Sequence, residues 1–166
     1  MEIIVTISFF LFLIFNAYCW SQYGILDSYS AYGDKFYREQ NKINIWSLST
    51  IITAFLLIPP MLEVTDGNTF QFLSFFAPAN LFIVGFTPDY KTSKRKKIIH
   101  YFFAILSAIM IGIWVCIINH YWIIFLSELA LWGITALFCD IKKNWMYFLE
   151  LAFYASTYAV LDRLII

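Results

Sequence analysis

The sequence predicts an all-α fold: a polytopic transmembrane helical bundle of six spans, with both termini external. Three observations predict it. Of 166 residues, 61% are apolar and only 13% are charged, whereas a soluble domain carries about 25% charged residues. The apolar residues fall in continuous runs of about twenty, each long enough to cross a hydrocarbon core of roughly 30 Å. Finally, ten of the eleven Lys and Arg residues fall in alternate loops. Continuous runs also exclude the apolar/polar alternation of an outer-membrane barrel.

The first span is expected at residues 3–20. Only the amino terminus and Glu2 precede it, so the positive n-region of a signal peptide is missing. Ala17-Tyr18-Cys19 also makes a poor cleavage site, so this span is expected to be retained. The segment 21–44 carries Lys35, Arg38 and Lys42, together with Tyr23, Ile25, Leu26, Tyr29, Tyr32, Phe36 and Tyr37. A solvated linker has no use for so many rings. This segment is expected to lie on, or dip into, the inner membrane interface, with Gly24 and Gly33 permitting turns.

Span two is expected at 45–62, ended by Pro59-Pro60, and span three at 69–86, kinked by Pro78 and closed by Pro88. The loop between them, EVTDGNT, has no cation. Then comes FTPDYKTSKRKKIIHY at 86–101, with Lys91, Lys94, Arg95, Lys96 and Lys97. Span four is expected at 98–118, span five at 121–139 and span six at 145–165, with Lys142 and Lys143 between the last two. Trp20, Trp46 and Trp145 would mark inner ends and Trp114 and Trp122 outer ends of an interfacial belt, with Trp132 packed deep in span five. The whole chain, 1–166, reads as one bundle.

Cytoplasmic loops hold the Lys/Arg excess of membrane proteins. The ten-to-one division therefore predicts cation-rich loops on the cytoplasmic side of an inner membrane. The five-cation run is expected to contact anionic head groups, each cation contributing on the order of 1 kcal/mol. Net charge is zero, and the run is short with one tyrosine at each end, so nucleic acid is not an expected partner. The three cysteines, Cys19, Cys116 and Cys139, offer neither a disulfide framework nor a CxxC metal pair.

Charges inside the spans are few. Glu128 falls near the middle of span five and Glu150 about two turns into span six. A carboxylate in hydrocarbon costs several kcal/mol unless paired, protonated or solvated, so both should face the bundle or a wet cavity. Glu128 reads either as part of an ion or proton path or as a structural glutamate bonded to Asn16 or Asn80. A second set gathers at the inner rim: Asp27, Ser28, Asp89, His100, Asp140 and Glu150. Within it, Ser28, Asp89 and His100 are the catalytic candidates. Asp89 and His100 are also candidate metal ligands with a further carboxylate, since a hydrolytic metal needs about three such ligands and an open position. The other histidine, His120, falls on the opposite side. HExxH, GxSxG and glycine-rich phosphate loops are absent. No cofactor is expected unless the chain is a hydrolase, which would hold zinc.

Two stretches carry a resemblance: GILDSYSAYGDKFY after the first span, and VGFTPDYKTSKRKKIIHYFFAILSAIMIGIW from the third span into the fourth. Together they resemble small uncharacterised six-span proteins of gut bacteria and their crAss-like phages. LDSYSAY loosely matches an SISxTYY-like motif there, and a proline-containing loop precedes a helix opening His-Tyr. The layout is more loosely similar to DRAM-like proteins and to the CREST superfamily of alkaline ceramidases and adiponectin-type receptors. The CREST resemblance would give Ser28, Asp89 and His100 roles in zinc-dependent lipid-amide hydrolysis. The paired histidines of the last CREST helix have no counterpart in span six, which offers Glu150 and Asp162. The leading expectation is thus a non-enzymatic membrane protein, acting through assembly, as a homo-oligomer or otherwise, or through lipid or protein partners. A metal-dependent membrane hydrolase and a small ion or proton channel are the alternatives.

Overall fold

The computed structural model describes residues 1–40, 44–118, 122–123, 126–127, 130 and 144–165. Among these residues all regular structure is helical: α1 Glu2–Tyr23, α2 Ser30–Gln40, α3 Ile45–Val64, α4 Phe72–Gly85, α5 Lys94–Ile113 and α6 Trp145–Ile165. A 3₁₀ turn, Tyr90–Thr92, precedes α5, and a π turn, Trp114–Ile118, extends it. Local chemistry sets the ends. Gly24 closes α1 at φ +65°, a conformation that costs glycine nothing, and returns its N–H to Trp20. Asn44 caps α3: its Oδ1 accepts from the Ser47 N–H at 3.1 Å, while its Nδ2 donates to the Gly33 carbonyl at 2.7 Å. One asparagine therefore starts α3 and ties it to α2.

α3 packs on α4, α4 on α5 and α1 on α3, while α6 touches α1, α3 and α5. Contacts show which helix ends meet. The Trp20 indole donates to the Tyr147 hydroxyl at 2.5 Å, joining the end of α1 to the start of α6. Trp46, opening α3, lies 6.4 Å from His100 near the start of α5, and Gly85, ending α4, packs on Ile51. Lys35, Arg38 and the run of five cations sit at this end. At the opposite end, Ser8 bonds Tyr158 and Thr65 bonds Ser74, both at 2.7 Å. Arg163 lies in the last turn of α6.

The polarity is that of a protein built for lipid. Three helices, Glu2–Tyr23, Ile45–Val64 and Lys94–Cys116, are long and apolar enough to cross a membrane. Their outward faces are hydrocarbon: Ile3, Ile14, Phe55, Phe102 and Ile105 are all exposed. The interior instead takes Ser8, Asn16, Thr53, Ser74, Ser107 and Thr157. In water such a surface would be an aggregation liability. In lipid, small hydroxyls that hydrogen-bond within a helix or across to its neighbour let helices approach closely. Ser107, for example, donates to the Ala77 carbonyl at 2.7 Å, from α5 to α4. Replacing Ser8 by Ala, or Tyr158 by Phe, is expected to cost about 1 kcal/mol. The double variant should cost little more, because both remove one bond. Unfolding in detergent measured around that double-mutant cycle checks it.

Several features differ from the sequence expectation. α3 runs through Pro59 and Pro60 to Val64 instead of stopping there. Its last carbonyls find other donors: Thr65 Oγ1 donates to Met61 O at 2.8 Å and Gln71 Nε2 to Leu62 O at 3.0 Å. α4 has only 14 residues, a rise of about 21 Å, shorter than the predicted third span. α6 has span length, but Glu150, Asp162 and Arg163 lower its hydropathy, and it is not among the three spans. Most of predicted span five lies outside the described residues. Trp46 and Trp114 are fully buried in the bundle. The segment 21–44 is not wholly a surface loop either. Tyr29, Tyr32 and Phe36 share one side of α2's path and are buried in the bundle, Tyr29 against Trp46 of α3, Tyr32 against Tyr147 of α6 and Phe36 against Phe15 and Tyr18 of α1. Gly33 is not a turn residue. It lies inside α2, where a Cβ would stand 2.6 Å from the Trp46 ring.

Candidate functional site

The two edges of the cation run fold back onto the bundle in different ways. Ser93 caps α5 by accepting the Lys96 N–H at 3.2 Å. Just before it, the Asp89 carboxylate pairs with the Lys96 ammonium, and the Thr92 hydroxyl donates to the Asp89 carbonyl at 2.7 Å. Asp89 is thus engaged in ordering this turn. His100, a turn and a half into α5, is fully buried. Its Nδ1 lies 2.9 Å from Thr87 Oγ1 and 3.2 Å from the Thr87 carbonyl. The Thr87 hydroxyl spends its own proton on the Ile83 and Val84 carbonyls, at 3.0 and 3.1 Å. Both Thr87 atoms therefore act as acceptors, so this network assigns the imidazole proton to Nδ1. Nε2 is left as a buried acceptor with no hydrogen-bond partner.

Tyr90 connects this corner to Ser28. Its ring stacks on the imidazole, with centroids 4.1 Å apart and planes 13° apart. Burial holds its phenol above the ordinary value, with a hydrogen bond to Ser28 acting in the opposite direction. Ser28 in turn accepts the Ala31 N–H at 3.1 Å and caps α2. The same helix start receives Glu150 from α6: the Ser30 N–H and hydroxyl donate to its two carboxylate oxygens at 3.2 and 3.1 Å. A carboxylate at a helix N-terminus also complements the helix dipole.

Beside Glu150 lies a cavity of about 60 Å³, room for a few waters or a small head group. Its lining combines Glu150 and the aromatic residues Tyr29, Trp46, Phe153 and Tyr154 with apolar residues of α4 and α5 such as Leu81 and Ile111. The buried Trp46 Nε1 has no hydrogen-bond partner.

Ser28, His100 and Glu150 are therefore brought to one corner, linked by Tyr90 and Ser30. Asp89 is adjacent but turned to Lys96, and Asp27 is exposed. Among the described residues no three His, Cys, Asp or Glu side chains form a metal-holding group. Asn16 donates to the Phe12 carbonyl at 2.8 Å and accepts from Tyr147 at 3.2 Å, while Asn80 contacts Met110 Sδ at 3.4 Å. Glu128 and Asp140 lie outside the described residues, as do Lys42, His120, Lys142 and Lys143. Sequence reasoning missed Thr87, Tyr90, Trp46 and Ser30 as members of this corner. The density of rings in 21–46 hinted at Trp46, while Thr87 and Tyr90 lie outside that stretch.

The fold and its outward hydrocarbon define an α-helical protein with three helices able to cross a membrane. Comparison with family models, curated proteins and solved structures finds no match to this chain.

Proposed function

We propose that the chain is a non-enzymatic, six-span inner-membrane protein that holds anionic lipid at its cationic, cytoplasmic rim, with both termini external. The observation that carries this reading is the first turn of α5. Lys94, Arg95, Lys96 and Lys97 occupy it in succession, all exposed, with Lys91 just upstream. A helix N-terminus is electropositive and favours anions, so four cations there oppose the dipole. Asp89 compensates Lys96, and no other carboxylate pairs with the run among the described residues. An anionic head group relieves the remainder.

The geometry also offers that lipid's tail a path. Ile98, Tyr101, Phe102, Ile105 and Ile109 recur at helical spacing and form an exposed stripe running down α5 from the cations. Head group and acyl chain would thus each meet a matching surface. Catalysis has less support, since Asp89 and His100 are engaged with Lys96 and Thr87 rather than with each other.

Adding phosphatidylglycerol to the detergent-purified protein is expected to raise its unfolding midpoint by several degrees, and phosphatidylcholine much less. Equal midpoints in the two lipids would overturn the proposal.

A further inference from the structure

The cavity beside Glu150 has a chemistry that the lipid-facing rim does not explain. Its carboxylate oxygens each accept one hydrogen bond from Ser30, which leaves acceptor capacity on both. No Lys, Arg or His pairs with this carboxylate among the described residues. Four aromatic residues line the cavity, Tyr29, Trp46, Phe153 and Tyr154, and Tyr29 lies 5.9 Å from Trp46 and 5.8 Å from Tyr154, centroid to centroid. Capping α2 accounts for the two bonds to Ser30. It does not require an open volume or a wall of rings. A hard metal ion would need six or more oxygen ligands, and this wall is mostly hydrocarbon and aromatic. A methylated ammonium group has the opposite needs. It spreads its charge over methyl groups, donates few or no hydrogen bonds, and is attracted by ring faces.

We propose that the Glu150 cavity binds a methylated ammonium group, with Glu150 as its counter-ion and Tyr29, Trp46 and Tyr154 as its aromatic wall. The site is independent of the anionic-lipid rim, which sits on the exposed side of α5. Its ligand is either a free solute cation or the ammonium of a zwitterionic lipid head group.

The test is calorimetric titration of the maltoside-solubilised full chain with tetramethylammonium chloride, against sodium chloride at equal ionic strength. Saturable binding of tetramethylammonium alone is expected, weakened tenfold or more in Glu150→Gln, which keeps an acceptor for Ser30. Circular dichroism and gel filtration verify that the variant folds. Should it not fold, Tyr154→Leu, which leaves the Ser30 bonds in place, is expected to weaken binding at least threefold. Absence of binding by the wild type, or equal affinity in the folded variant, overturns the proposal. Repeating the titration in micelles doped with phosphatidylcholine or phosphatidylglycerol identifies the source. Competition by phosphatidylcholine alone supports the site as a head-group site, and no competition supports it as a solute site.

Discussion

Gly33→Val should be among the most destabilising single substitutions in this chain, costing about 3 kcal/mol or more through overpacking. A Cβ at position 33 would stand 2.6, 2.9 and 3.0 Å from three atoms of the Trp46 ring. Those atoms belong to the rigid indole, not to the end of a flexible chain. Trp46 itself is 1% exposed, with Tyr29 at 5.9 Å and His100 at 6.4 Å. It has nowhere to retreat without displacing the rings that organise the Ser28–Tyr90–His100 corner. The Gly33 carbonyl also accepts from Asn44, so a shift of α2 would uncap α3. Gly67→Val is the control for an insertion without a clash, because nothing lies within 4 Å of its would-be Cβ, although its φ of +74° adds backbone strain. Combining Gly33→Val with Trp46→Leu should recover part of the loss, since the smaller side chain frees the contested space. Thermal or denaturant unfolding in detergent measures all four proteins. Equal stability of Gly33→Val and wild type would mean that α2 does not dock on Trp46 as described.

What the sequence made legible follows from which signals are local. Continuous apolar runs marked α1, α3 and α5 to within a few residues, because a lipid-crossing helix must be apolar along its own length. The cations expected in loops fall largely on helices instead, Lys35 and Arg38 in α2 and Lys94 to Lys97 in the first turn of α5. Helix ends were less legible. Pro59-Pro60 read as a stop, yet α3 runs about one turn past them to Val64, where its final carbonyls bond Thr65 and Gln71 of the next segment. The role of 21–44 was misread because its rings look alike whether they face lipid or a protein groove. Distant partners decide that they go inward: Tyr29 meets Trp46, Tyr32 meets Tyr147, and Phe36 packs on Phe15 and Tyr18. The corner itself was half visible. Ser28, His100 and Glu150 stood out by residue type. Their connectors, Tyr90 and Ser30, are ordinary residues whose significance is purely spatial, and Asp89 looked available because its partner seven residues on was counted with the head-group cations.

Converting Lys91, Lys94, Arg95 and Lys97 together to Gln should lower phosphatidylglycerol affinity by roughly a thousandfold. Each cation near an anionic head group contributes about 1 kcal/mol, and about 4 kcal/mol corresponds to a factor near a thousand. These four are chosen because they are exposed and have no carboxylate partner among the described residues. Lys96→Gln should lower lipid affinity at least as much as any other single substitution in the run, because it removes one positive charge and leaves the Asp89 carboxylate unpaired beside the lipid. The apolar stripe below is untouched in the fourfold variant, so membrane insertion should persist. Arg163→Gln, in the last turn of α6, should leave the affinity unchanged. Salt supplies an independent check. Exposed charges are screened within about 3 Å at 1 M ionic strength, so wild-type affinity should fall steeply with added salt and the fourfold variant's should barely respond. Titration with spin-labelled phosphatidylglycerol in phosphatidylcholine nanodiscs reads both effects. A variant that binds as tightly as wild type, with the same salt response, would show that the run carries charge without holding lipid.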